Sequence, residues 1–268
     1  MNKRIIIGVP VLLAILLAGA YLLPSGGAWQ PVRQAMRDGV LHEGDRISFL
    51  GLALPPGIFS SFAVTALLVL AALFVRVFAL PRFTPVPGRL QLFLETVVEA
   101  AERLARENSP GRNRFLGAYL FCAGSYVSFG TLFELWGIQV LSMRGFIVTL
   151  PAPLSDINGA LMLGILSYLV ILSGGLSAGV RGVGRGLSRF SLPLSMSFRL
   201  FGALLSGALL TDLVYHYPAL RVGLPAVVGL LFTLAHALIQ TYVLTLLTAL
   251  FYGEAAGAAK QSERRNPR

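Results

Sequence analysis

Six apolar runs, each long enough to cross the roughly 30 Å hydrocarbon core of a bilayer, decide what this chain can fold into. Backbone groups in lipid must be hydrogen-bonded internally, so such a run predicts a transmembrane helix. Only 13% of the 268 residues are charged, against about 25% in soluble proteins. Membrane spans therefore use up the length of the chain, and they lie at about residues 5–23, 58–80, 115–137, 157–178, 191–217 and 225–252.

These runs predict an all-α polytopic membrane protein with five core transmembrane helices in a membrane domain at 58–255. Segment 1–23 is either a signal peptide, because Ala18-Gly19-Ala20 fits a small-x-small cleavage pattern, or an anchor helix, because the apolar run continues. Either interpretation makes 24–57 an external segment. Residues 256–268 are expected to form a cytoplasmic tail.

The basic residues indicate the orientation of the spans. With the N-terminus inside, sixteen of the 22 Lys and Arg residues fall on the cytoplasmic side, five fall outside, and Arg199 stays in the membrane. The positive-inside rule favours this arrangement and a cytoplasmic C-terminus. The net charge of +10 therefore reflects topology, and we expect no nucleic-acid partner.

Motifs of soluble enzymes are missing from the sequence. No HExxH, Walker A or nucleophile-elbow pattern occurs. Cys122 is the single cysteine, so neither an intrachain disulfide nor a cysteine metal cluster is possible, and we expect it to be a small buried hydrophobe. We predict no cofactor, no metal site and no catalytic residue in the chemical sense.

Two segments between the spans have distinct patterns. From Leu90 to Leu104 apolar residues recur at helical spacing with charged residues between them, which predicts an amphipathic helix at the cytoplasmic interface. The turn-forming sequence 108–111 ends it. The glycine-rich stretch 182–186 follows a membrane run rather than a strand, so it predicts a flexible basic loop and not a phosphate cradle.

The last two runs predict a pair of long, tilted antiparallel helices joined by a turn at Pro218–Gly223. Arg199 lies inside the first of them. A guanidinium keeps its charge, and near the middle of a membrane helix that charge costs at least roughly 2.5–3.5 kcal/mol. We therefore expect Arg199 to serve an ion pathway or to be the counter-ion of a carboxylate. Antiparallel pairing sets it near the level of Gln240.

Other polar side chains recur along this helical hairpin at spacings of four residues, which places them on shared helix faces. They predict a ladder of hydrogen-bonding groups that runs inward from the external face towards Arg199. Two alternatives to this ladder stay open. His236 could be satisfied by a backbone carbonyl, and Asp212 and His216 could form only a pair at the external end of their helix. The residues of this ladder are Asp212, His216, His236 and Gln240, together with Glu134 of the third run. Antiparallel pairing sets Asp212 nearer Thr233 and His236.

Around Arg199 the side chains are small, at Gly202, Ala203, Ser206 and Gly207. Small residues let another helix approach closely in lipid. One interpretation is packing within the chain. The other is a docking surface for a partner helix that carries a carboxylate facing Arg199.

Four motifs in order resemble the a subunit of the F-type ATP synthases. Ser197–Gly202 with Gly207 resembles its arginine helix, and Ile239–Thr248 resembles its final helix. Pro151–Asn158 is similar to its Pro-Thr-x-Asp-x-Asn motif, and Val86–Gln91 to its Val-Pro-Gly-x-x-Gln segment. Together they cover about residues 55 to 255 and leave the first 54 outside.

The resemblance implies an ion-translocating stator subunit in a bacterial inner membrane, surrounded by lipid. Its partners would be the c-subunit ring, b-type peripheral stalk subunits and the rest of the ATP synthase. Arg199 would be the essential arginine between two half-channels, facing Gln240, and it would couple proton flow to rotation of the ring. Gly202, Ala203, Ser206 and Gly207 would contact the ring.

Departures from the family pattern affect the external half-channel. Ala203 stands where an asparagine is usual, Ala208 where a carboxylate is usual, and Thr233 where many members have a histidine. Our hypothesis is that Asp212 and His236, with His216 and Glu134, replace the missing pair. Alternatives to a proton motor are a Na⁺-coupled version, a secondary transporter and a degenerate structural paralogue.

Overall fold

The computed structural model describes residues 47–49, 52–109, 113–141, 147–176, 179–216 and 224–257. The signal or anchor helix expected at 1–23, most of the external segment at 24–57, and the tail beyond residue 257 lie outside the described residues.

Helices make up most of the described part, as the apolar runs predicted. Two extensions continue the spans: a π turn at Val75–Ala79 with a 3₁₀ turn at Leu80–Arg82, and a 3₁₀ turn at Glu134–Trp136. A further 3₁₀ turn covers Pro153–Ser155. The helices are α1 (Pro56–Phe74), α2 (Arg89–Asn108), α3 (Asn113–Phe133), α4 (Ile157–Leu176), α5 (Gly179–Ser188), α6 (Ser191–His216) and α7 (Leu224–Ala256).

Two short antiparallel hairpins, which the sequence pattern did not predict, precede α1 and follow α3. Strands β1 (Ile47–Phe49) and β2 (Leu52–Leu54) pair with Ser48 opposite Ala53. Strands β3 (Gln139–Leu141) and β4 (Ile147–Thr149) pair with Val140 opposite Val148. Each strand of the two hairpins has only three residues, so the hairpins are small additions to a helical fold and do not change its class.

Four helices in the described part are long and apolar enough to cross a membrane, at Pro56–Arg82, Arg114–Trp136, Ile157–Leu176 and Val227–Ala256. Helix α6 is also long, with 26 residues, but it carries Arg199, Asp212 and several serines, which lower its apolarity. The prediction of an all-α polytopic membrane protein is confirmed. The predicted amphipathic helix is confirmed as α2, which begins at Arg89 and ends at Asn108.

At one end of the bundle, α2 and α5 lie beside the first turns of α3 and the last turns of α4 and α7. We call this end, which contains the arginines of α2 and α5, the basic end. Ala105 of α2, Leu116 of α3, Ile171 of α4 and Tyr252 of α7 are almost fully buried in one apolar cluster there. Gly253 lies against the backbone of Asn108, so α7 and α2 are in close contact. The amphipathic helix is thus packed on the spans rather than separate from them.

At the opposite end of the bundle, the first turns of α1 make the buried contacts of this helix with the rest of the described part. Val64 of α1 is buried with Phe133 and Leu150, and Gly57 lies against the side chain of Asp156. Beyond these turns α1 exposes large apolar residues such as Leu70 and Phe74. Such a surface is suited to lipid or to a partner helix.

Small residues set the helix spacing inside the bundle. Gly124 of α3 contacts Thr241 and Thr245 of α7, and Gly174 of α4 contacts the ring of Tyr252. Hydrogen bonds between side chains join the same helices. The hydroxyls of Ser128 and Thr241 are 2.7 Å apart, as are those of Tyr119 and Ser167.

Two sequence-based expectations were wrong. The stretch 182–186, expected to be a flexible loop, lies within helix α5. Gly182 and Gly186 are buried because α5 packs closely on the end of α4, where a side chain would not fit. Cys122, expected to be buried, is exposed, since it lies on the outer side of α3.

Candidate functional site

Arg199 lies in the first half of α6, eight residues after the helix begins, or about 12 Å along its axis. The sequence predicts that this half is nearer the cytoplasm. It is exposed, as are Ser195, Gly202 and Ser206. Residues 195, 199, 202 and 206 follow one another at helical spacing, so they form a single stripe. We call these four residues the open face of α6.

The other side of α6 is packed on α4. Met196, Leu200 and Leu204 are buried in one cluster with Leu163 of α4. A methyl group added at Gly164 would contact the Ser197 hydroxyl and lie 2.6 Å from the Pro193 carbonyl oxygen. This close approach holds α6 against α4 on the side away from Arg199, so Arg199 faces outward.

Contact between α6 and α7 fixes the level of Arg199. A Cβ added at Gly207 would lie 2.6 Å from the ring of Phe232, so these two residues are opposite each other. Arg199 lies eight residues before Gly207, and Gln240 lies eight residues after Phe232. Since both helices rise by about 1.5 Å per residue, Arg199 and Gln240 share one level, as the sequence predicted.

Their accessibility differs, which the sequence did not predict. Gln240 is 9% exposed and lies on the buried face of α7, in line with Ala237 and Leu244. Arg199 is on the open side of the contact between α6 and α7. In the described part of the chain no hydrogen bond joins the two side chains.

His236 is half-buried on α7 and its ring lies over that of Phe232, with centroids 4.0 Å apart. Its Nδ1 is 2.9 Å from the Phe232 carbonyl oxygen. A carbonyl only accepts, so Nδ1 donates, and in the neutral ring Nε2 is then an acceptor. The alternative of a histidine satisfied by a backbone carbonyl is therefore realised at Nδ1.

Asp212 and His216 both lie within α6, and His216 is its last residue. The level set by Gly207 and Phe232 puts Asp212 opposite Val227, nine residues from His236. The backbone of Asp212 is therefore about 14 Å further along the helix axis than that of His236, whereas the sequence analysis had set Asp212 nearer Thr233 and His236.

Glu134 belongs to the 3₁₀ turn that follows α3, at the opposite end of the bundle, and is half-buried. The Ser128–Thr241 hydrogen bond sets α3 against α7. Glu134 lies six residues after Ser128, and Ala235, the neighbour of His236, lies six residues before Thr241. The backbone therefore brings Glu134 to the level of His236.

The small residues near Arg199 divide between the two interpretations. A Cβ added at Gly202 would meet nothing within 4 Å, and Ser206 is exposed with its hydroxyl donating to the Ala203 carbonyl oxygen at 2.9 Å. Gly207 instead packs against Phe232 of α7. Gly202 and Ser206 thus leave room for another helix, whereas Gly207 serves packing within the chain and Ala203 lies half-buried between the two.

Asp156 entered the sequence analysis only as part of the Pro151–Asn158 motif, and no role in the site was assigned to it. Its Oδ1 accepts hydrogen bonds from the Asn158 amide at 2.9 Å and from Asn158 Nδ2 at 3.1 Å. Its Oδ2 is buried without a hydrogen-bond partner in the described part of the chain. A carboxylate oxygen enclosed without a donor is costly, and the signal that could have found it is the Asp-x-Asn spacing at a helix start.

Charge balance isolates Arg199. Within the described ranges the ion pairs are Arg106 with Glu102 and Arg189 with Glu254, and neither includes Arg199. A guanidinium on a long helix of a membrane protein that forms no ion pair with these described segments is suited to an anionic group supplied from outside.

These features define a class of protein: a polytopic helical membrane protein that presents an arginine on an open helix face, without an ion pair among the described residues. Residues 58–253 match the family described as ATP synthase A chain. The chain therefore belongs to that family.

Relatives in three lineages agree with this assignment. The chain is 27% identical over 183 residues to an ATP synthase subunit a of Acidothermus cellulolyticus, covering 62% of this chain and 65% of that protein, slightly under two thirds. It is 29% identical over 192 residues to the chloroplastic ATP synthase subunit a of Stigeoclonium helveticum, covering 63% and 73%. With that of Chromobacterium violaceum it shares 26% over 237 residues, covering 71% and 87%.

Proposed function

We propose that this chain is the ion-translocating stator subunit of the membrane sector of an F-type ATP synthase. The observation that carries the proposal is Arg199, exposed on α6 beside Gly202 and Ser206, and without an ion pair in the described part of its own chain. Family membership supports a subunit that works beside a rotating ring of c subunits. A carboxylate on a ring helix is the partner that suits this arginine.

Electrostatics supports a coupling role for Arg199. Two unit charges about 4 Å apart interact by about 4 kcal/mol at an effective dielectric near 20, about a thousandfold in an equilibrium constant. Each ring carboxylate therefore gives up its ion while it passes Arg199. The fixed positive charge also stops ions from leaking directly between the two sides. Each charge that crosses then supplies about 2.3 kcal/mol per 100 mV for rotation.

The surface of α6 is uncovered at Gly202 and Ser206, which supports contact with the c ring at these residues. Ala203 lies at the edge of this uncovered surface. Gly207 supports it indirectly, because its packing on Phe232 holds α6 and α7 together behind that surface. Gln240, at the level of Arg199 but buried, serves as a polar group behind the arginine. The exposed flanks of α1 and α2 are suited to the b-type stalk subunits and to lipid.

Two half-channels would reach Arg199 from the two sides of the membrane. We assign the external one to Asp212, His216, His236 and Glu134, which replace the usual pair lost at Ala208 and Thr233. The common level of Glu134 and His236, and the acceptor nitrogen of His236, support this assignment. Asp156, with its enclosed oxygen, joins it at the external mouth.

The other half-channel starts from the basic end. Ser195 lies one turn before Arg199 on the open face of α6, which supports a polar route along that stripe. In this proposal the basic end is cytoplasmic, the membrane is a bacterial inner membrane, and the coupling ion is H⁺. A Na⁺-coupled motor would use the same arginine, so the ion is decided by experiment.

The test is the substitution Arg199→Ala in the whole reconstituted complex, measured as ATP-driven ion pumping and as passive leak. In this variant we expect ATP-driven H⁺ pumping to fall to the background and the passive H⁺ leak to rise. We expect no such change in Na⁺ transport. Arg181→Ala, a loss of the same charge on α5, is the matched control and leaves pumping unchanged. Retained coupled pumping in the Arg199 variant would overturn the motor role, and pumping driven only with Na⁺ would overturn the choice of ion.

The external path is tested separately by Asp212→Asn and His236→Ala. Loss of a proton-transfer group lowers rates by about 10²-fold or more, so ion-driven ATP synthesis is expected to fall strongly in both. Assembly is checked by the yield of the intact complex. Normal assembly with normal synthesis in both variants would exclude these residues from the path.

A further inference from the structure

Helix α5 is held against the end of α4 by its glycines. A Cβ at Gly186 would lie 2.8 Å from a methyl carbon of Leu172, and a Cβ at Gly175 would lie 2.8 Å from the Gly182 carbonyl oxygen. The Tyr168 hydroxyl donates to the Gly186 carbonyl oxygen at 3.1 Å. Helix α5 is therefore a fixed part of the basic end, at the depth where the membrane spans finish.

Two further faces of α5 differ in chemistry. Val180 and Leu187 are exposed on one side of α5, and the exposed Phe190 follows in the turn after the helix. Arg181 and Arg185 lie one turn apart on another side of α5, and Arg189 is the first residue after the helix ends. A short helix with apolar and basic faces at the end of membrane spans lies in the interface, at the level of lipid headgroups.

Between α5 and the last turns of α7 lies a cleft of about 410 Å³, within the size range of small-ligand sites. Its walls are Ile171 and Phe251 on the apolar side and Arg185, Ser188, Arg189 and Glu254 on the polar side. The cleft therefore combines an apolar wall with two guanidinium groups.

The two arginines are ordered by contacts with α7. Arg189 Nη2 is 3.1 Å from Glu254 Oε2, and its guanidinium carbon lies 5.3 Å from the centre of the Phe251 ring. Arg185 Nη1 donates to the Glu254 carbonyl oxygen at 3.4 Å. Two guanidinium groups against one carboxylate leave one net positive charge in the lining.

Each of these arginines uses only part of its donor capacity. A guanidinium has five N–H donors in a planar fork that matches phosphate oxygens. The contact of Arg185 with a terminal carbonyl of α7 also offsets the negative end of that helix dipole, which would otherwise repel an anion. Both arginines are exposed, so their remaining N–H groups are accessible to an anion.

We propose that this cleft binds the phosphate group of an anionic membrane phospholipid, with Arg185 and Arg189 as its ligands. Its acyl chains would lie against the apolar wall of the cleft at Ile171 and Phe251. Basic pockets between transmembrane helices are recognised sites for such headgroups. A lipid fits better than free phosphate because the cleft has an apolar wall at Ile171 and Phe251 beside its two guanidinium groups. Glu254 competes with the lipid for Arg189.

The test uses the full chain in phosphatidylcholine vesicles that contain spin-labelled phosphatidylglycerol or, in parallel, spin-labelled phosphatidylcholine. Electron paramagnetic resonance gives the relative association of each lipid. We expect selective retention of phosphatidylglycerol, reduced about tenfold by Arg185→Gln and by Arg189→Gln, since each loses a charge-assisted hydrogen bond. Arg181→Gln removes the same charge one turn away, outside the cleft, and is expected to reduce it less than about threefold.

Three outcomes would overturn the proposal. Equal effects of all three arginine substitutions would indicate unspecific attraction to the basic end. Equal retention of both lipids by the unaltered chain would indicate no site. Full displacement of the labelled phosphatidylglycerol by millimolar inorganic phosphate would indicate a site for the free anion.

Glu254→Gln separates lipid binding from a purely structural role of the arginines. If Arg189 serves only to hold α5 to α7, this substitution removes its partner and lipid retention stays the same or falls. If the lipid competes with Glu254, retention of phosphatidylglycerol rises several-fold. A fall in retention with unchanged helix content would contradict the proposed competition.

Discussion

Gly164 is the residue at which one methyl group tests the packing that carries Arg199. In Gly164→Ala the new Cβ would contact the Ser197 hydroxyl and lie 2.6 Å from the Pro193 carbonyl oxygen. An ordinary carbon–oxygen contact is about 3.3 Å or longer, so α4 and α6 would have to separate by about 0.7 Å. The Ser197 hydroxyl has little freedom to move away, because it donates to that same carbonyl at 2.6 Å.

The cost follows from contacts along the whole interface. A gap of about 0.5–1 Å forfeits a quarter to a half of the attraction between facing atoms, and overpacking typically costs about 1–3 kcal/mol. Alanine is also a better helix former than glycine by up to about 1 kcal/mol, which offsets part of that cost. Gly229→Ala is the matched control, because a Cβ there would meet nothing within 4 Å.

The free energy of unfolding of each full-length variant is measured in mixed micelles by circular dichroism. We expect Gly164→Ala to be less stable than Gly229→Ala by about 1–3 kcal/mol. Because both variants gain the same helix propensity, the difference reports the contact between α4 and α6. Equal stability of the two variants would refute the close approach of these helices, and with it the fixed outward orientation of Arg199.

Three further results are expected. Gly202→Ala leaves the stability of the chain within about 1 kcal/mol, because its Cβ meets nothing, yet it lowers ATP-driven pumping in the complex; unchanged pumping would argue against ring contact there. Ser128→Ala and Thr241→Val, combined in a double-mutant cycle of unfolding free energies, show a coupling of about 0.6 kcal/mol; additive effects would mean that their 2.7 Å contact contributes nothing. Asp156→Asn keeps the oxygen that accepts from Asn158 and changes stability by about 1 kcal/mol or less, but lowers passive proton flux through the membrane sector; full flux would place Asp156 outside the external path.

Periodicity predicted the long elements because burial in lipid leaves few choices. The span expected at 157–178 is α4, Ile157–Leu176, and the span at 191–217 is α6, Ser191–His216. The amphipathic pattern from Leu90 likewise predicted α2. In each case local hydrogen bonding and an apolar stripe act over a continuous stretch, so the signal lies within the element itself.

The helix α5 was missed for the opposite reason. Its glycines lower helix propensity, and nothing within residues 179–188 indicates what compensates. The compensation is packing: Gly182 and Gly186 permit contact with α4 that larger residues would block. Local sequence therefore indicated a loop, whereas a tertiary contact decided for a helix.

The candidate site shows the same division. That Arg199 and Gln240 share a level was predictable, because antiparallel helices joined by a short turn have nearly equal rise on both sides. The same register puts Asp212 opposite Val227, so that level was predictable as well, whereas the level of Glu134 beside His236 depends on the contact of Ser128 with Thr241, which no local pattern reports. Asp156 was undervalued because the enclosure of its Oδ2 depends on how separate segments pack around it.

The sequence by itself determined that this is a helical membrane protein, where the long helices of its described part lie, and that a permanent charge is kept within one of them, because each of these follows from the cost of polar groups in lipid. Only the tertiary structure decided which way that charge faces. Helix α4 closes against one side of α6 through Gly164, and α7 covers another through Gly207 and Phe232. What is left open is the stripe of Arg199, Gly202 and Ser206, since close packing on two sides of a helix leaves only the remaining side for a partner.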